Sequence, residues 1–404
     1  MKIDRESLLL LAPAIYLFVL PLAHTTALRS IAFGVSILLL LLTWRDHATL
    51  PVPLKAPFAV WFIVAMLSLI WAVHPDFSIG AIKSEIIYGF LSFLIFFKAT
   101  RSTRALKFWV ATLFASGVVT GVIAMIHFLR GLDPYPVGAF YGGALSNAGY
   151  VTTVLPFLVA APLLPSGRRR IAMLGVIFFL LLMAYGTTNR GVWLYLLVEL
   201  AVFGCLYLVR VELHPKTRKT AFGIVAICAI LGTGTLFYAA KGRLGLSGGP
   251  TDVIAGTAKA DLRPQLWKDS VDWIGQRPLT GAGFGTMVLG KELQEHQQNV
   301  NHTHAHNILL NYALQLGLLG PVVLIFLFYS VAREFWKLIK SSDKELKTLG
   351  IAGMAIVSGI FAAGMIEDLF GRHLGWLFWA LTGMILGYSS NAARHPSFVQ
   401  ESAQ

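Results

Sequence analysis

Twelve apolar runs, most of them near the length of a bilayer crossing, leave this 404-residue chain few ways to fold. They fall at about 7–22, 28–44, 56–73, 78–97, 105–129, 149–165, 171–186, 191–209, 220–239, 304–332, 348–366 and 371–389. A helix needs roughly 20 apolar residues to cross the hydrocarbon core. Inside that core an unsatisfied backbone N–H or C=O costs several kcal/mol, so the runs are predicted to be helices. Charged residues make up only 13% of the chain and the mean hydropathy is +0.68. A soluble domain carries about twice that share of charge. The expected fold is therefore all-α: a polytopic membrane protein with about 12 transmembrane helices and one long loop. Residues 7–22 are read as a retained first span, not a signal peptide, because no small-x-small cleavage site follows Leu22.

Orientation follows from Lys and Arg. With the N-terminus cytoplasmic, one set of connections holds Arg45 and Lys55, Lys98 to Lys107, Arg168 to Arg170, Arg210 to Lys219 and Arg333 to Lys347. With the two termini these account for 21 of the 33 Lys and Arg, and the short loops agree at every crossing. Both ends are thus expected in the cytoplasm. The net charge of +13 is read as this asymmetry; the partner it implies is the membrane lipid, with no nucleic acid. The two cysteines, Cys205 and Cys228, lie inside apolar runs, so no disulfide framework is expected.

The layout divides into spans one to nine (1–239), an outward loop (240–303), spans ten to twelve (304–389) and a cytoplasmic tail (390–404). The first part of the loop is Gly-rich. Its second part, DLRPQLWKDSVDWIGQRP, reads as an amphipathic helix with Leu262, Leu266, Trp267, Val271 and Ile274 at helical spacing. Pro264 suits its first turn and Arg277-Pro278 stops it. No repeat joins the first six spans to the last six, unlike a carrier built from two similar halves.

Chemistry-bearing residues gather on the outward side. His302, His304 and His306 precede span ten, followed by Asn307. On a helix His302 and His306 would share a face and His304 would not. A single imidazole, titrating near neutrality, is the preferred reading as a general base; a metal would need a further ligand such as Glu295 or His296, and none is expected. Arg190 sits between spans seven and eight, where a guanidinium is either an interfacial anchor or a clamp for phosphate oxygens. Arg263 opens the loop helix. Lys83 and Arg372 lie near outer span ends, where ion pairs with Glu85, or with Glu367 and Asp368, compete with an anion-binding role. Glu199, inside span eight, is a buried polar residue of open role. Gly281-Ala-Gly283-Phe-Gly285 follows no strand of a βαβ unit, so it reads as a tight turn and not a nucleotide loop.

These residues resemble a known family. His306-Asn307, nine residues, Gly317, two residues and Gly320 match the motif of the O-antigen ligases, within a superfamily of ligases and polymerases acting on lipid-linked glycans. Arg263, Trp267, Pro278 and Gly281-Ala-Gly283 are similar to the family's loop segment. Asn189-Arg190-Gly191 is similar to its Ser-Arg-Gly turn, with Asn in place of Ser. Asn147-Ala-Gly149 resembles its Pro-Asn segment weakly, lacking the Pro.

The resemblance implies a periplasmic active site in the bacterial inner membrane and an architecture like that of GT-C-type glycosyltransferases. It implies an undecaprenyl-diphosphate-linked O-polysaccharide donor and a lipid A-core acceptor, with no cofactor. It gives catalytic roles to His306, Arg190 and Arg263, and substrate contacts to Arg190, Arg263, Trp267, His304, Asn307 and Arg372. The sugar is activated by its own diphosphate, so neither ATP nor metal is expected, and direct attack would invert the anomeric centre. A retaining route would need a carboxylate such as Asp261, Glu292 or Glu295. The neighbouring readings are an O-antigen polymerase or a protein O-oligosaccharyltransferase; a transporter and a membrane scaffold are the remoter ones.

Overall fold

The computed structural model describes residues 5–22, 24–43, 51–130, 144–160, 168–186, 190–212, 263–290, 304–367 and 372–392, with residues 223 and 234. Helices dominate, and there is no strand among the described residues. The first five are α1 (Arg5–Val19), α2 (Thr26–Leu42), α3 (Lys55–Leu67), α4 (Pro75–Ala81) and α5 (Tyr88–Ala99). Then come α6 (Thr103–Leu129), α7 (Ala144–Ala160), α8 (Arg168–Gly186), α9 (Arg190–Arg210) and α10 (Arg263–Gln276). The last four are α11 (Ile308–Leu316), α12 (Leu319–Ile339), α13 (Lys344–Gly364) and α14 (Arg372–Ala392).

Three described helices are long and apolar enough to cross a membrane: Pro75–Ala99, Thr103–Ile123 and Lys344–Gly364. The first joins α4 to α5 through a π-helical stretch, Ile82–Ile87. The Ser84 carbonyl in that stretch accepts a hydrogen bond from Trp376 Nε1 of α14. Large apolar side chains point outward along the helices, among them Ile31, Leu42, Ile63, Phe178, Val209 and Val322. In water such a surface would drive aggregation; against lipid it is the solvent-facing side. The aromatic core, including Tyr16, Phe93, Phe96, Trp61, Trp109 and Trp379, sits inside the bundle.

The loop helix forms where its sequence predicts, starting at Arg263 with Pro264 in the first turn and ending before Arg277. Leu266 is buried, but Val271, expected on the apolar face, is 54% exposed. Span ten departs further. The continuous helix expected over 304–332 is broken at Gly317, with φ 65° and ψ −162°, a conformation closed to side-chain-bearing residues. At its other end the helix begins only after the Asn307 cap, so His304 and His306 precede a short helix, α11, instead of lying on a long one.

The break is what lets the segment after α10 dock. Leu318 N donates to the Pro278 carbonyl at 2.8 Å, Ala282 N to the Leu314 carbonyl at 2.8 Å and Gly283 N to the Gln315 carbonyl at 3.0 Å. Gly285 N donates to Gln315 Oε1, and Phe284 N to Ser68 Oγ. Gly281, Gly283 and Gly285 all have positive φ, as the tight-turn reading of this segment requires. A Cβ at Gly317 would stand 2.5 Å from the Pro278 oxygen. Gly317→Ala is accordingly expected to destabilise the protein by about 1–3 kcal/mol, through strain and steric overlap. The check is a lowered melting temperature of the detergent-purified variant.

The remaining sequence expectations concern the Gly-rich half of the loop, span nine (220–239) apart from residues 223 and 234, His302, Glu295, His296, Asp261, Glu292, Asn189, Asp368 and Cys228. All of these lie outside the described residues.

Candidate active site

His306 is held from three directions. Asn307, in extended conformation, caps α11: its Oδ1 accepts from Leu309 N at 3.0 Å and Leu310 N at 3.1 Å. Its Nδ2 donates to the Met365 carbonyl just beyond α13. On the other flank, Ala305 N donates to Asn311 Oδ1 at 2.7 Å, and the Ala305 carbonyl accepts from Trp267 Nε1 of α10 at 3.0 Å. Between these anchors His306 has φ 48°. A left-handed backbone at a residue with a Cβ is costly and persists where its surroundings enforce it, most often at functional sites. The motif read from the sequence thus has parts with distinct work. His306 is the presented imidazole, Asn307 the cap, and Gly317 the break. Gly320 is the close contact, since a Cβ there would overlap the Tyr312 carbonyl.

The partner of His306 is Glu367, in the turn after α13. Its Oε2 lies 2.9 Å from His306 Nδ1 and its Oε1 lies 3.0 Å from His304 Nε2. The two imidazoles lie 4.1 Å apart, centroid to centroid. The Glu367 side chain is 10% exposed and that of His306 19%, so the imidazole, not the carboxylate, is the member open to a substrate. Burial pushes the Glu367 carboxyl up, but the hydrogen bonds and charges of the two histidines outweigh it and hold the pKa down at about 2. The group is therefore ionised at neutral pH and accepts a proton-bearing nitrogen from each ring. With Nδ1–H of His306 directed at Glu367, the lone pair of that ring is at Nε2, a tautomer fixed by the hydrogen bond.

The other expected residues assemble unevenly. Arg263 opens α10, and Trp267, one turn on, braces the histidine segment through Ala305. Tyr195, about one and a half turns after Arg190 on α9, is buried. Arg190 is the first residue of α9 and Arg372 the first of α14; their side chains are outside the described set. Lys83 is exposed on the π-helical stretch.

Three groups with metal-ligand chemistry cluster here, His304, His306 and Glu367, their candidate ligand atoms all within 4.8 Å of one another. In the observed arrangement those atoms are spent on each other, as two imidazole–carboxylate hydrogen bonds.

Sequence reasoning did not connect Glu367 with His306, offering it only as a candidate ion-pair partner of Arg372, and placed His304 on a different helix face from His306. The first error came from distance, since 61 residues separate Glu367 from His306 and no spacing rule connects them. The signal available was an acid just past the end of an apolar span, near a candidate base that needs an orienting group. The second came from assuming helix where the chain is irregular.

A membrane-type protein, helical throughout its described residues, with two imidazoles held on one carboxylate is thus the class that fold and site define. Residues 175–326, from within α8 into α12, match the model of the O-antigen ligase family. That match supports membership of the O-antigen ligase/polymerase superfamily, whose members are glycosyltransferase-like enzymes acting on lipid-linked glycans. The matched stretch carries Arg190, Arg263 and His306, while Glu367 comes from beyond it. No curated protein matches the chain.

Proposed function

We propose that the protein is an O-antigen ligase, transferring O-polysaccharide from undecaprenyl diphosphate to lipid A-core at the periplasmic face of the inner membrane. The observation that carries this reading is the Glu367–His306 hydrogen bond at 2.9 Å, which readies Nε2 of an accessible imidazole to take a proton. The complete His306-Asn307…Gly317…Gly320 motif, each residue with a structural task, favours ligase over polymerase. The architecture in this reading is twelve spans with both termini cytoplasmic and the 240–303 segment as the periplasmic loop, in the manner of GT-C-type glycosyltransferases.

The chemistry follows from the parts. His306 Nε2 removes the proton from the acceptor sugar hydroxyl as that oxygen attacks the anomeric carbon. The C–O bond to the diphosphate breaks, and the diphosphate leaves with the electron pair. Arg190 and Arg263 hold the diphosphate and stabilise the charge that grows on it. Glu367 fixes the imidazole tautomer and balances the imidazolium that forms, as the carboxylate does in a catalytic triad. Both Glu367 oxygens are engaged by imidazoles, so it is an orienting group and not a nucleophile. Attack is then direct, with inversion. No step calls for a metal, so transfer by purified protein is expected to be unchanged by a chelator such as EDTA.

The genetic test is deletion in the host followed by gel analysis of lipopolysaccharide and of the undecaprenyl-linked pool. Bare lipid A-core with long polymer accumulating on the undecaprenyl carrier is the expected result. Core carrying a single repeat unit would make the protein a polymerase instead. An unchanged gel would point to a protein acceptor or a transporter.

A further inference from the structure

Glu199 of α9 is 3% exposed, and neither of its carboxylate oxygens has a hydrogen-bond partner among the described residues. It belongs to no step of the transfer described above. An acid left unpartnered inside a helix bundle costs stability that an apolar residue of similar size would not, so a use is to be sought in the space its side chain occupies.

Its position suggests one. α9 and α13 pack against each other along their length, and the face that α13 offers includes the small residues Ala352, Ala355 and Gly359. Such faces let helices approach closely. Phe203 of α9 packs with Ala352 and Ala355, and one turn further along Glu199 meets Gly359. A Cβ at Gly359 would overlap the Glu199 carboxylate, so the acid fills the notch that the missing side chain leaves. The two helices run antiparallel there. From this contact α9 leads back past Tyr195 to Arg190, and α13 leads forward to Glu367.

We propose that Glu199 is a positioning residue: seated in the Gly359 notch, it sets the separation of α9 and α13 and so the placement of Arg190 against the Glu367–His306 pair. The role attributed to those three residues rests on the ligase reading; the spacing of the helices does not. Shape, not charge, is what the notch reads, so glutamine serves as well as glutamate.

The test uses purified full-length protein and four changes: Glu199→Gln, Glu199→Ala, Gly359→Ala, and Gly359→Ala combined with Glu199→Ala. Gly359→Ala is expected to lower kcat about tenfold or more, because a displacement near 1 Å is enough to misalign reacting groups. Glu199→Ala should also lower kcat, with a melting temperature equal to or above wild type. The double variant should regain part of the loss seen in Gly359→Ala, and Glu199→Gln should keep wild-type kcat and donor KM. Full activity in Glu199→Ala, or a Gly359→Ala loss that shortening the acid does not relieve, would overturn the proposal.

Spin labels at Leu194 and Ile366, in a background with Cys205 and Cys228 replaced, read the helix spacing without reference to activity. The distance should shift in Gly359→Ala and return in the double variant. An unchanged distance would overturn the spacing claim. A shifted distance with unchanged transfer would leave the spacing standing and remove its catalytic consequence.

Discussion

Replacing His306 by Ala is expected to slow glycan transfer by roughly 10³–10⁴-fold while leaving the protein folded. Loss of a general base costs about 10²–10⁴ in rate. The upper part of that range applies because the proposed acceptor is a sugar hydroxyl, a poor nucleophile until its proton is removed. Folding should survive because the segment's anchors lie on its neighbours: Asn307 caps α11 and Trp267 holds the Ala305 carbonyl, and neither uses the imidazole. The check is initial rate with donor and acceptor in excess, beside the elution profile and melting curve of the same preparation. Donor KM should change little, since in the proposed mechanism the two arginines and not the imidazole hold the diphosphate.

Glu367→Gln is the second large effect, with an expected fall of about 10²–10³-fold in kcat. Glutamine matches the shape but offers one oxygen and one NH₂ where the carboxylate offers two acceptors. It can accept from one imidazole only, and its amide donates to the other. If the NH₂ meets His306, Nδ1 becomes the acceptor and the proton moves to Nε2, leaving the wrong tautomer for taking a proton from substrate. The wild-type carboxylate has no such ambiguity: with its pKa held at about 2 it stays ionised throughout the neutral range. Its folded pKa lies below the ordinary carboxylate value. The stabilisation it contributes is therefore complete above that value and is lost only as pH falls towards 2. A variant retaining wild-type kcat would show that Glu367 serves packing and not the imidazole.

Much of the bundle was legible as hydrophobic run length. The runs at 105–129, 171–186 and 191–209 return as α6, α8 and α9 with ends shifted by a few residues, because the energy of satisfying backbone groups in lipid admits one solution. The loop helix was readable for a different reason, its proline near the start and Arg277-Pro278 at its end. Reading failed where backbone conformation is decided by contacts distant in sequence. The run at 304–332 is apolar over most of its length, yet Gly317 breaks it, where the 278–285 segment hydrogen-bonds to the end of α11. His304 was misplaced for the same reason, and its pairing with Glu367 could not be inferred from helical periodicity. The Glu367 carboxylate came from a turn 61 residues away. The pieces of a site contributed by one segment were visible; those brought by packing of separate helices were not.

The most direct measurement is transfer by the purified protein from undecaprenyl-diphosphate-linked O-polysaccharide to lipid A-core, comparing wild type with Glu367→Gln and His306→Ala in one assay. Polymer should move onto the lipid A-core with wild type, slow sharply with Glu367→Gln and fall close to background with His306→Ala, all three being folded. Undiminished transfer by folded His306→Ala, or polymer growth on the undecaprenyl carrier with none on the core, would contradict a ligase that works through His306 held by Glu367.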